Sequence, residues 1–103
     1  MKNYKIIIHN RVFSMIDDIQ SFIIKQGNYE TAAKYSEKLF AEIESLSNPI
    51  FVNAIQLSQW QAAKKYHPKA KRLITKNRKW NIIFHTGQKY VYIDAIIPAS
   101  LMK

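Results

Sequence analysis

The 103-residue sequence predicts an α+β fold: an N-terminal strand, a two-helix antiparallel hairpin, then an antiparallel β-meander packed on the helices. Three observations predict it. An isoleucine-rich run opens the chain, two stretches carry apolar residues at steps of three and four, and the last third alternates apolar with polar. At this length there is room for one domain with one core, spanning residues 1–103.

The elements follow in order. Residues 4–9 hold Ile6, Ile7 and Ile8, which suits a short buried strand. Asn10 is placed to cap the next segment. Across residues 11–26, Val12, Ile16, Ile19 and Ile23 form one helical stripe with Phe22 beside it, while Asp17, Asp18 and Gln20 fall outside. Gly27-Asn28 supplies a left-handed terminator. A second helix is expected over residues 29–47, with Ala32, Tyr35, Leu39, Ile43 and Leu46 as its stripe and Phe40 widening it. Lys38 and Glu42, four apart, suit its exposed side. Ser47-Asn48-Pro49 ends it, since proline disfavours helical geometry in the residue before it. The short connection makes the pair an antiparallel hairpin.

Residues 50–68 carry the weakest pattern. Gln56, Gln59, Gln61, Ala62 and Ala63 favour a helical turn ending near Tyr66-His67-Pro68, and an irregular loop is the alternative. The remainder alternates. Residues 72–76 form a short strand, Asn77-Arg78 a turn, and residues 79–86 a strand. In it Trp80, Ile82 and Phe84 face one way and Asn81, Ile83 and His85 the other. Gly87-Gln88 turns the chain into residues 90–97, with Val91, Ile93, Ala95 and Ile97 expected on one face. Pro98 stops it.

Composition narrows the function. Hydrophobic residues make up 48% and charged residues 22%, an ordinary globular balance. No cysteine is present, which excludes disulfides, thiolate metal sites and cysteine nucleophiles. Charges interrupt every apolar stretch well short of a membrane span, and the run after Met1-Lys2-Asn3-Tyr4-Lys5 is too short for a signal peptide. A cytoplasmic protein with no membrane partner is expected. The net charge of +9 is unevenly spread. Residues 1–59 hold six Lys or Arg and six acids, whereas residues 60–103 hold ten Lys or Arg against Asp94 alone. That half attracts a polyanion or an acidic protein.

The order of elements, the length and the block Lys71-Arg72-Leu73-Ile74-Thr75-Lys76-Asn77-Arg78-Lys79-Trp80-Asn81-Ile82-Ile83-Phe84 resemble the RelE/ParE superfamily of type II toxin–antitoxin toxins. The block looks like the family's basic strand, tight turn, and aromatic–polar–aliphatic run. Tyr90-Val91-Tyr92-Ile93 matches its next strand. The resemblance covers nearly all the chain apart from residues 50–68. It implies two modes of action: ribosome-dependent messenger RNA cleavage in RelE-like members, and binding and poisoning of DNA gyrase in ParE-like ones. Both imply a cognate acidic antitoxin as partner and no cofactor or metal.

Cleavage by attack of the 2′-hydroxyl requires a base, an acid and positive charge at the phosphate. Arg72 and Lys76, four apart on an expected strand, would share a face. With His85 they are the candidate catalytic residues, and imidazole suits proton transfer near neutral pH. Lys71, Arg72, Lys76, Arg78, Lys79 and Asn81 are the candidate phosphate or nucleic-acid contacts. Two departures oppose cleavage. Asn81 stands where the family commonly has arginine, and asparagine cannot neutralise phosphate charge. Residues 97–103 offer only a serine and a terminal lysine where cleaving members place an acid–base pair. His9 and His67 lie apart along the chain and suggest no metal site. Tyr90 and Tyr92 share a strand face suited to stacking or packing. Three functions stay open: a ribosome-dependent RNase toxin, a non-catalytic toxin, and a module that binds only its antitoxin or nucleic acid.

Overall fold

The structure, a computed structural model, describes residues 3–25, 27, 29–76 and 78–98. Strand β1 (Lys5–Ile8) leads into helices α1 (Asn10–Lys25) and α2 (Tyr29–Ser45). His9, not Asn10, caps α1. The Arg11 amide donates to His9 Nδ1 at 3.1 Å, and the Val12 amide to the His9 carbonyl at 2.9 Å. Asn10 is instead the first helical residue, because the neighbouring imidazole already supplies the acceptor a cap must provide. At the far end Gly27 adopts φ 86° and its amide donates to the Ile24 carbonyl at 2.7 Å. Glycine has no Cβ to oppose that left-handed backbone. Asn28 lies outside the described residues.

Helix α2 ends two residues earlier than expected. Pro49 then begins a helix as well as following one: α3 (Pro49–Ala54) starts on it, with the Ile50 amide donating to Asn48 Oδ1 at 3.0 Å. Proline fits a first helical turn because the amide it lacks has no partner there. The expected helical turn is α4 (Gln61–Lys64).

Strands β2 (Lys71–Ile74), β3 (Trp80–Thr86) and β4 (Tyr90–Pro98) form the antiparallel meander, and β1 joins it parallel to β4. The sheet order is β1-β4-β3-β2. The helical hairpin covers one face. Val12, Ile16, Leu39, Ile43 and Leu46 meet Ile82, Phe84, Val91, Ile93 and Ile96 in a buried cluster. Each such side chain contributes about 1.5–3 kcal/mol when fully removed from water. Among the described residues no helix is long and apolar enough to cross a membrane.

Strand β4 does not present one continuous face. Phe84 pairs with Ile93 but Ile83 pairs with Ala95, so Asp94 is an extra residue in the ladder. Val91 and Ile93 face the helices. Beyond the bulge Ile96 takes over that face, and Ala95 and Ile97 turn outward with Ile83. The expected common face of Val91, Ile93, Ala95 and Ile97 is therefore split in two. An inserted residue resets the two-residue period, and the apolar Ile96 hides the reset from the sequence pattern.

The outer sheet face is covered as well. Residues 60–70 cross it, laying Ala63 and Ala70 on Ile83, Ala95 and Ile97, with Trp60, Ala62 and Tyr66 alongside.

Candidate functional site

The structure distributes the sequence-predicted site residues over several places. Strand β2 ends at Ile74, so Arg72 and Lys76 do not share a strand face. Thr75 is buried and closes the turn: its amide donates to the Trp80 carbonyl at 2.9 Å, and its Oγ1 accepts from the Trp80 amide at 3.2 Å. Lys76 lies beyond, its backbone amide donating to Glu42 Oε1 at 2.7 Å. Arg78, at φ 61°, and Lys79 complete an exposed cationic turn with it.

Lys71 belongs to the helix side of the sheet. It pairs with Phe84, and its Nζ donates to the Val52 carbonyl at 3.0 Å. Burial lowers its pKa below the ordinary lysine value. Arg72 lies on the outer side. Its guanidinium carbon sits 5.7 Å from the Trp60 ring centre, at a cleft of about 420 Å³ lined by Gln56, Leu57, Ser58 and Gln59. Asn81 is 0% exposed; its Nδ2 lies 3.4 Å from the Ile97 carbonyl and its Oδ1 has no partner. A side chain sealed this way does not reach a phosphate in solvent.

His85 stands near the opposite end of β3 from that turn, in company the sequence did not announce. Its Nδ1 is 2.7 Å from Asp94 Oδ2. Its ring stacks with His67 at 3.8 Å between centres and 4° between planes, and with Tyr92 at 4.8 Å and 14°. Tyr90 continues the row at 6.0 Å from Tyr92. A Cβ on Gly87 would stand 3.3 Å from the Tyr92 ring, so glycine leaves that ring room. The bulge creates the array: Asp94, released from the regular ladder, reaches back to His85. The signal for Asp94 lay in the sequence, as the lone acid of the basic half. Nothing marked His67, because the placement of residues 50–68 was open.

His67 has a defined protonation. Its Nδ1 accepts the Lys69 amide at 3.0 Å, which puts the proton of the neutral ring on Nε2. Its pKa is lowered, first by burial, then by His85 and Lys69, with Asp94 opposing. The array is chemically able to move protons. Arg11 and Lys65 lie over Tyr66, at 5.1 Å and 5.2 Å from its ring centre.

Charge separates along with topology. Asp17, Asp18, Glu30, Glu37, Glu42 and Glu44 all lie on α1 and α2, behind the sheet. Lys64, Lys65, Lys69, Arg72, Lys76, Arg78 and Lys79 lie on residues 60–79, which form α4, its flanks, β2 and the cationic turn. Between the end of α2, α3 and β2 runs a groove of about 970 Å³, where Ala41, Phe51, Leu73 and Ile74 supply apolar surface. Phe51 and Ile74 are each 38% exposed there. Among the described residues no group of three or more His, Asp or Glu is arranged to hold a metal.

An open four-stranded sheet of this order, with a helical hairpin on one face, is the α+β architecture expected of RelE/ParE toxins. A chain in the solved structure of the chromosomal ParDE TA system from P. aeruginosa has this fold, with a TM-score of 0.76 over 92% of this chain and 95% of that one. The two are 15% identical, so the likeness is one of fold. No family model and no curated protein matches the sequence.

Proposed function

We propose that the chain is the toxin of a type II toxin–antitoxin module, of the ParE kind, and that it acts by binding its target rather than by cutting RNA. The observation that carries the second part is the covered outer face. Residues 60–70 cover Ile83, Ala95 and Ile97 on the outer face, Asn81 is buried, Arg72 is drawn to Trp60, Lys76 lies beyond the end of β2, and His85 is engaged with Asp94 and His67. Cleavage needs base, acid and positive charge within about 3 Å of the reacting atoms. Binding needs none of these.

The fold of the ParDE chain and the basic second half support the toxin assignment, and the resemblance to ParE-like members names DNA gyrase as the target to test. The groove between α2, α3 and β2 fits an antitoxin segment that brings apolar side chains to Phe51 and Ile74 and carboxylates to Lys38 and Lys76. In a translating lysate the purified chain should leave messengers intact. Codon-periodic cleavage would overturn the binding mode and revive the ribosome-dependent RNase.

A further inference from the structure

Residues 60–70 rest on the sheet through a small buried cluster, with Trp60, Ala62 and Tyr66 only partly buried beside it. Alanines 63 and 70 make the central contacts, and an alanine buries only one methyl group. Short backbone bonds tie the segment mostly to itself, with Tyr66 donating to the Ala63 carbonyl at 3.0 Å and Ala70 to the His67 carbonyl at 3.1 Å. His67 adds a ring-on-ring contact with β3, parallel to His85 within 4°. The Lys69 amide bond needs Nδ1 of His67 unprotonated. Protonating Nδ1 turns an acceptor into a donor facing another donor, and sets a positive charge against His85 and Lys69.

We propose that residues 60–70 are a pH-sensitive cover over the outer sheet face, latched by His67 on His85 and released by acid. The charged and titratable surroundings come from every neighbouring element. His85 belongs to β3, Asp94 and Tyr92 to β4, and Lys69 to the cover itself. Arg11, bonded to His9 at the start of α1, and Lys65 flank Tyr66 next to the latch. Asp94 is the lone acid of the set, and His85 already engages it at 2.7 Å. An imidazolium at His67 therefore meets net positive surroundings, with Arg11, Lys65 and Lys69 against Asp94 alone. Release uncovers Ile83, Ala95 and Ile97 and frees the Arg72 guanidinium from Trp60. The device stands on this geometry whether or not the chain is a toxin.

Amide hydrogen exchange, corrected for intrinsic rates, tests it on the whole chain. From about pH 7.5 to about pH 5.5 the amides of Ala63, Tyr66, Lys69 and Ala70 should lose protection by about tenfold, while those of β3 and β4 keep theirs. His67→Phe, which retains a flat ring without titration, should remove that loss. Unchanged protection in the unmodified chain, or the same acid-induced loss in His67→Phe, would overturn the cover. Imidazole nitrogen NMR on the unmodified chain gives a check that needs no variant. His67 should be neutral with its proton on Nε2 at about pH 7, and a ring already charged there would equally overturn it.

Discussion

His85 Nδ1 and Asp94 Oδ2 lie 2.7 Å apart because a bulge in β4 frees Asp94 from the ladder. The pair is mostly shielded, with side chains 18% and 11% exposed. Asp94→Ala should therefore cost about 2 kcal/mol, the scale of a lost hydrogen bond to a charged group. Urea unfolding measures it, and an unchanged midpoint would remove the pair from the stability account.

Tyr35 and Trp80 join α2 to β3. Their rings meet edge to face at 85°, and the Trp80 indole N–H donates to the Tyr35 hydroxyl. Tyr35→Phe keeps the ring and removes the acceptor. A loss of about 1 kcal/mol is expected, with a shift in tryptophan fluorescence.

Lys71 was a phosphate contact by sequence and is a helix anchor by structure. Its Nζ serves the Val52 carbonyl of α3. Lys71→Ala should cost about 1.5 kcal/mol by removing that charge-assisted bond, the Val52 carbonyl keeping its bond from the Ile55 amide at 3.1 Å, and should leave affinity for a polyanion unchanged. Arg78→Ala, at the exposed turn, should do the reverse. Thermal melts and a salt-dependent binding assay on both variants separate the two roles.

The lowered pKa of His67 fixes a sign for global stability. The unfolded ring protonates at about pH 6.5 while the folded ring resists, so the unfolded state binds more protons just below that pH. His67's contribution is complete above about pH 6.5 and is lost as pH falls through the folded-state pKa. Urea midpoints should fall over that window in the unmodified chain, and less in His67→Phe.

Periodicity carried the fold a long way. The stripes of Val12, Ile16 and Leu39, Ile43 lie where their spacing put them, as does the alternation of Trp80, Ile82 and Phe84. It stopped where physics is not periodic. The Asp94 bulge swaps faces between residues that are all apolar, and Pro49 obeys two rules at once, ending α2 and starting α3. The candidate site was less legible. Charge counts found the basic half but could not foresee that β2 stops at Ile74, or that Lys71 turns inward. His85 was legible as a proton-transfer group; its partners His67 and Asp94 come from the cover and the bulge, which only the tertiary structure reveals.

Inducing the chain in bacteria that lack an antitoxin tests the central claim most directly, with growth, DNA-damage signalling and messenger integrity read together. Arrested growth with damage signalling and whole messengers is the predicted result. Unhindered growth from a folded, expressed chain would contradict a toxin altogether.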